Sequence, residues 1–317
     1  MIINANKPER WKTDIIRSVD FYNTWFMKFA PETFREARRQ MTLQVETAIK
    51  NSDDLTRLTP DMLKEHPATL SMLRMATAPP IARDRLSGLA YVSRSIINSM
   101  EIDGRLPPQL STENLQTALS HLLSVIIKLL DRDIFPWLDL RENPTEQQRE
   151  RAATIVADRL SGATADPIIR NAQEQRQLAT IRKYLENLNY RMAKLSSGIH
   201  LSEMESGTFS FRHNVVVGIN RHVNLPVDVI IQPHNVRLRK LPILIEAKSA
   251  GDFTNTNKRR KEEATKMHQL KEVYGEDVPF ILFLNGYFDS GYLGYEAAEG
   301  IDWVWEHRIE DLKELGI

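Results

Sequence analysis

Leu241-Pro242-Ile243-Leu244-Ile245-Glu246-Ala247-Lys248 is the stretch on which the fold turns. It is short, apolar and β-branched, and turn-forming residues bound it, which predicts a buried strand. The strand ends on a carboxylate and an ammonium two residues apart. Side chains alternate across a strand, so Glu246 and Lys248 project from one face. Charges at the end of an apolar strand need a partner or a metal. A third charge, Asp228, lies on an earlier strand-like run, Val227-Asp228-Val229-Ile230-Ile231, just after Pro226. The pattern is Pro-x-Asp, seventeen residues, then Glu-x-Lys.

These residue types suit metal-dependent hydrolysis of a phosphodiester. Two carboxylates are hard oxygen ligands for Mg²⁺, which completes its shell with waters and substrate phosphate. The ion can acidify a bound water and stabilise charge developing on phosphorus. The lysine can orient or deprotonate the attacking water, or neutralise the transition state as a point charge. The competing reading is a plain ion pair at a sheet edge, Lys248 with Glu246 or Asp228.

The chain has 317 residues, 42% of them apolar, which suits two domains or one large one. Its formal charge is zero, so affinity for nucleic acid must come from local clustering. The absence of cysteine excludes disulfides and cysteine zinc sites, and agrees with a reducing cytoplasm. The first residues lack an apolar signal core, and no apolar run approaches the ~18 residues a bilayer span requires. The expectation is a soluble cytoplasmic protein with no membrane partner.

Working outward from the strand, residues 1–165 carry helical periodicity and read as a helical domain. Trp11, Ile15, Val19, Tyr22 and Phe26 recur at helical spacing, with Pro31 expected to end that helix. Further helices are expected at 32–49, from Ile81 to about Met100, at 115–130 and at 147–160. Gly162 to Pro167 reads as a linker. Residues 166–317 read as a second domain. It begins with a helix over 168–188, whose stripe Leu178, Ile181, Leu185 and Leu188 is continued one turn earlier by Glu174. Strands follow at 208–219, 225–232 and 241–248, then a helix over 257–274 and a strand over 278–284. A last strand is expected at 301–305 and a terminal helix at 309–315. The fold class is α+β: a helical N-terminal domain, then an α-β-β-β-α-β core with a mixed sheet.

The loop after the strand leads into Lys258-Arg259-Arg260-Lys261 at a helix start, with Thr256 or Asn257 as the N-cap. Four cations there oppose the helix dipole, a cost that a phosphate backbone would offset. From Arg237 to Lys261 there are eight Lys or Arg against two acids, Glu246 and Asp252. The carboxylates thus sit inside a local positive excess, and these four cations are candidates for DNA phosphate contacts. His222, His234 and Asn235 hint at a ββα-metal nuclease, but their spacing fits no metal loop. No glycine-rich phosphate loop or His-Glu-x-x-His helix is present.

With these residues in view, the C-terminal half resembles the PD-(D/E)XK nuclease superfamily, whose core has this α-β-β-β-α-β order. Asp228, Glu246 and Lys248 match its motif, with Val227 between Pro226 and the aspartate as a departure. The resemblance implies that Asp228, Glu246 and the Ala247 carbonyl hold Mg²⁺ (Mn²⁺ substituting), and that Lys248 assists the water. It also implies an acidic residue from the preceding helix; Glu174 is the candidate, with Glu203 and Glu205 as rivals. More narrowly, the chain resembles the XamI-type family of type II restriction endonucleases. The resembling stretches are 11–31 (WKTDIIRSVDFYNTWFMKFAP), 75–89 (MATAPPIARDRLSGL) and 246–263 (EAKSAGDFTNTNKRRKEE). That implies double-strand cleavage of DNA at a short palindrome, leaving 5′-phosphate and 3′-hydroxyl ends. It further implies a homodimer, and a cognate DNA methyltransferase in the same system without a stable complex. The alternatives are a repair or junction-resolving nuclease of the same superfamily, or a non-enzymatic DNA-binding protein with a structural ion pair.

Overall fold

The structure, a computed structural model, describes residues 3–108, 111–194, 204–218, 223–235, 241–254 and 256–317, with the backbone alone for 256–259. The elements in chain order are α1 (Pro8–Asn51), α2 (Pro60–Glu65), α3 (Thr69–Met75), α4 (Arg83–Ala90), α5 (Arg94–Ile102), α6 (Thr112–Leu129), α7 (Trp137–Leu140) and α8 (Glu146–Asn187). Then come β1 (Arg191–Met192), β2 (Thr208–Val217), β3 (Val223–Gln232), β4 (Ile243–Ala250), α9 (Thr256–Tyr274), β5 (Phe280–Gly286), α10 (Ser290–Ala298) and β6 (Asp302–Trp305). A 3₁₀ helix over Glu306–Leu315 follows. The α+β class and the α-β-β-β-α-β order hold, with β1 and α10 as additions. None of the described helices is long and apolar enough to cross a membrane.

Two compact units form: Met1–Phe29 with Arg170–Ile317, and Ala30–Ile169. The expected boundaries at 1–165 and 166–317 miss one thing. The first 29 residues belong with the sheet. Ile3 is buried in its core, and the Asp302 carboxylate accepts the backbone N–H groups of Ile3, Asn4 (2.9 Å) and Ala5 (3.0 Å). Trp11 packs edge-on against Trp303, with ring centroids 5.5 Å apart.

Pro31 does not end its helix, and Gly162 to Pro167 is no linker: α1 and α8 run through both. An interior proline removes one hydrogen bond and costs about 3 kcal/mol. A long buried face offsets that. Ala37, Met41, Val45, Ala48 and Ile49 are buried on α1, and Ala152, Ala153, Val156, Ala157, Leu160 and Ala165 on α8. Ser161 and Ala165, on either side of Gly162, are buried within the continuous helix.

In the helical unit, one hydrophobic core draws on α1 through α8. Within it the fully buried Glu101 carboxylate receives Arg74 at 2.8 and 3.0 Å and Arg83 at 2.7 Å.

In the other unit the described strands form one sheet in the order β1-β2-β3-β4-β5-β6. Strand β2 pairs antiparallel with β3, and β3 with β4; β4, β5 and β6 run parallel. Ile243, Leu244 and Ile245 are fully buried, and each such side chain contributes about 1.5–3 kcal/mol. Strand β4 divides its residues by alternation. Ile243 and Ile245 face a core with Leu178, Ile181 and Leu185 of α8. Leu244 and Ala250 face the other core, with Met267 and Leu270 of α9 and Tyr292 of α10. Glu246 and Lys248 belong to this second face.

The β2–β3 hairpin changes faces part-way. Phe209, Val229 and Ile231 lie in the α8-side core, whereas Val215, Val217, Leu225 and Val227 lie in the α9-side core. The change falls at Arg212, whose φ of 52° is left-handed. Phe211 pairs with Val229 and His213 with Val227, so Arg212 and Asp228 occupy the step between. A left-handed non-glycine residue costs on the order of 1–2 kcal/mol, and such kinks re-aim side chains.

Candidate active site

The site grows from the end of β4. Val229 stands opposite Ile245 in the β3–β4 ladder, and the next residues along are Asp228 and Glu246. There β3 leaves the ladder, and the Ala247 N–H is taken by Oδ2 of Asp228 at 2.8 Å. Burial, and then the neighbouring Glu246, push the Asp228 carboxyl up to about 6. Lys248 Nζ lies 3.0 Å from Oε1 of Glu246. The three charges separated by seventeen residues of chain are thus brought together.

Helix α9 adds two residues that the sequence reading missed. Lys266 Nζ donates to the same Glu246 Oε1 at 2.7 Å, and to the Pro226 carbonyl at 3.2 Å. Glu263, fully buried one turn earlier, lies 3.7 Å from Lys248 Nζ. Tyr292 donates its hydroxyl to Oε2 of Glu263 at 2.6 Å. Burial, and then its neighbour Glu263, push the Glu296 carboxyl up to about 9, so it keeps its proton and shares it with Glu263. Burial works against the charge on Lys248, yet Glu246, Glu263 and Asp228 more than offset it. Its pKa ends above the ordinary lysine value. Lys248 is therefore an ammonium at neutral pH.

The signal for Glu263 was present: it falls at helical spacing from Met267 and Leu270, on the apolar face of α9. Gln173 and Gln177 of α8 were also missed. Gln173 Nε2 donates to Ser249 Oγ, and Gln177 Nε2 to the carbonyls of Lys248 (3.3 Å) and Phe283 (3.2 Å). They fix the backbone on which the charged residues stand.

Other candidates fare differently. Glu174 is half-buried and bound to Arg212 at 2.7 Å. It is felt at Asp228, where it works to raise the pKa, so it lies beside the pair rather than in the core as its stripe suggested. Glu205 is exposed, with Arg191 3.4 Å away. His234 packs on the Tyr190 ring and faces the Leu188 carbonyl, a structural role. Arg260 is half-buried with its guanidinium 4.5 Å from the Tyr295 ring centroid, and Lys261 is exposed. The side chains of Thr256, Asn257, Lys258 and Arg259, and residues Glu203, His222, Arg237, Arg239 and Lys240, lie outside the described residues.

The donor set can be tested against a metal. No group of three or more acidic or histidine side chains able to hold one occurs among the described residues. Two carboxylates are present, which is the set Mg²⁺ accepts when water and phosphate supply the rest. Oε2 of Glu246 is buried and has no hydrogen-bond partner among the described residues, while Oε1 carries both lysines. A buried carboxylate oxygen left bare costs free energy unless a cation takes it. The residues fit the ion.

A family model described as XamI restriction endonuclease matches residues 53–305. The chain is 55% identical over 315 residues to the type II restriction enzyme SalI of Streptomyces albus G, covering 99% of this chain and 100% of that protein. Type II restriction enzyme XamI of Xanthomonas campestris pv. amaranthicola is 27% identical over 192 residues, covering 61% and 62%. Among solved structures, protein VC1899 from Vibrio cholerae aligns over 90% of this chain and 55% of its own, at 13% identity and a TM-score of 0.29.

Proposed function

The chain belongs to the XamI restriction endonuclease family, and we propose that it cuts both strands of DNA at a short palindromic sequence in a Mg²⁺-dependent reaction, leaving 5′-phosphate and 3′-hydroxyl ends. The observation that carries the metal is Glu246, with one oxygen held by two ammoniums and the other buried without a hydrogen-bond partner among the described residues, on a carboxylate whose charge is felt at Asp228. By this reading the site is of the PD-(D/E)XK type. Asp228, Glu246 and the Ala247 carbonyl hold Mg²⁺, and Mn²⁺ substitutes.

When bound, the ion supplies Lewis acidity at the phosphate and an acidified water. The protein's own groups do the rest. Lys248, kept protonated by its carboxylate neighbours, works as a donor that orients the attacking water and offsets charge on the phosphate. Gln173 and Gln177 hold Ser249 and the Lys248 carbonyl in place. Glu174 acts on Asp228 through space rather than as a ligand. Lys258, Arg259, Arg260 and Lys261 take DNA phosphates at the start of α9, where helix geometry favours anions.

Duplex DNA is the substrate, and two copies of the chain read the palindrome by matching its two-fold symmetry. The protein works in the cytoplasm, and a methyltransferase of the same specificity protects the host DNA without a stable complex.

The test is digestion of a sequenced phage genome with Mg²⁺, followed by mapping of the ends. Discrete fragments with ends at one palindrome, carrying 5′-phosphates, are expected. Random nicking, or no cutting with either Mg²⁺ or Mn²⁺, would overturn the proposal.

A further inference from the structure

Lys266 is a second ammonium on the Glu246 carboxylate. It projects from α9, half-buried, and makes the shorter of the two ammonium contacts to Glu246 Oε1: 2.7 Å against 3.0 Å for Lys248. A second bond to the Pro226 carbonyl ties it to β3, two residues before Asp228. It therefore touches the two strands that carry the carboxylates and holds a position between them.

We propose that Lys266 is a positioning residue that acts as a resident cation on Glu246, holding Oε1 so that Oε2 alone is presented to the divalent ion and weakening the ion's affinity by charge repulsion.

The charges support this. Asp228 and Glu246 bring two negative charges, and Lys248 and Lys266 return two positive ones. Glu263, which faces Lys248, shares a proton with Glu296. With one proton between them, Glu263 and Glu296 keep a single negative charge, so the two lysines bring the pocket from about −3 to about −1 before any divalent ion arrives. A carboxylate that accepts two ammonium donors through one oxygen has its other oxygen turned away from them, and in Glu246 that oxygen is the bare one. An ammonium on the ligand itself lies within several ångströms of any ion on Oε2. At that distance, in a partly buried site, repulsion is large enough to shift binding by roughly tenfold or more. A purely structural lysine would have the opposite signature, since its loss would loosen Glu246 and weaken metal binding.

This inference rests on the metal site proposed above, and the experiment separates the two. Mn²⁺ is titrated into the DNA-free protein and free ion is read by electron paramagnetic resonance. Lys266→Met and Lys266→Gln, which remove the charge, are expected to bind Mn²⁺ at least roughly tenfold more tightly than the unaltered chain. Lys266→Arg, which keeps the charge, is expected to restore the original affinity. Glu246→Gln is the control for the site. If Glu246→Gln leaves Mn²⁺ affinity unchanged, the metal site itself is wrong. If Glu246→Gln abolishes binding but the neutral Lys266 variants bind no more tightly than the unaltered chain, Lys266 is not a resident cation and the metal site stands. A variant-free measurement guards against misfolding: the Lys266 ammonium resonance in ¹⁵N-lysine-labelled protein should move on Mg²⁺ addition, and an unmoved resonance at saturation also overturns the proposal.

Discussion

Oδ2 of Asp228 accepts the backbone N–H of Ala247 at 2.8 Å, so the carboxylate of β3 is tied to the residue that separates Glu246 from Lys248. The bond ties β3 to β4 just past their last ladder pair, Val229 with Ile245. Asp228→Asn retains an acceptor for that N–H and loses only the charge. Cleavage is expected to fall roughly a hundred- to a thousandfold, with melting temperature and DNA affinity little changed. Single-turnover cleavage alongside a gel-shift titration checks this, and a variant that cuts at the original rate removes Asp228 from the site.

Lys248→Ala takes away the ammonium that links Glu246 to Glu263. The expected result is a loss of cleavage of roughly a hundredfold or more, with binding to the cognate duplex retained. Intact Mg²⁺-dependent cutting would end its assigned role.

The Asp228 carboxyl, pushed up to about 6, must be ionised to hold a cation. Metal affinity of the DNA-free protein is expected to decline as pH falls through 6, by about tenfold per unit below it. Glu174 contributes to that upward push. Its replacement in Glu174→Gln removes a nearby negative charge, which favours the ionised form of Asp228. The midpoint should then move to lower pH, as read by Mn²⁺ titration at a series of pH values. An unmoved midpoint would show that Glu174 does not act on Asp228.

Glu296 predicts a pH dependence of stability. Its carboxyl is raised to about 9 by burial and then by Glu263, from 4.5 when unfolded. Between those values the folded chain keeps a proton that the unfolded chain releases, so stability falls as pH rises across the window. Glu306, raised by burial to about 7 despite Arg176, adds in the same direction up to neutrality. Glu296→Gln keeps a donor for Glu263 without the titration. It should flatten the slope and gain about 3–4 kcal/mol at pH 9 relative to pH 6, measured by urea unfolding. A slope identical to that of the unaltered chain would refute the shared proton.

In the helical unit, Glu101→Ala would strand Arg74, only 7% exposed, without its anion. A loss of about 3–5 kcal/mol is expected, seen as an earlier thermal transition, while Glu101→Gln should lose less. Equal melting temperatures would show the triad to be dispensable.

The strand Ile243–Ala250 and its charged end were legible because two independent signals coincide there, a β-branched apolar run and ionised side chains of one parity. Asp228 was legible from the same logic on β3. Lys266 was not, because a lysine on a charge-rich helix looks solvated until the strand carboxylate beneath it is placed. Helix α10 carries two glycines, Gly291 and Gly294, which weaken its helical propensity; its start is set by Asp289, whose side chain caps Tyr292 N at 2.7 Å. The N-terminal segment reads as part of the helical half because its periodicity is helical. Its membership of the sheet unit depends on Asp302, nearly three hundred residues away, which no local pattern reveals. Pro31 and Pro167 misled for a related reason: local propensity marks them as stops, and burial along α1 and α8 overrides it.

The left-handed step at Arg212 makes the hairpin intolerant of length changes on one side of it. Adding one residue in β3 between Asp228 and Val229 would turn the Asp228 carboxylate through the sheet, away from Glu246, while the hydrophobic residues on either side could still find their old cores. Such a chain would fold, and it would be unable to cut. Homologous sequences should therefore keep the count of residues from Asp228 to Glu246 compatible with that ladder, and absorb insertions in the connections outside the paired arms.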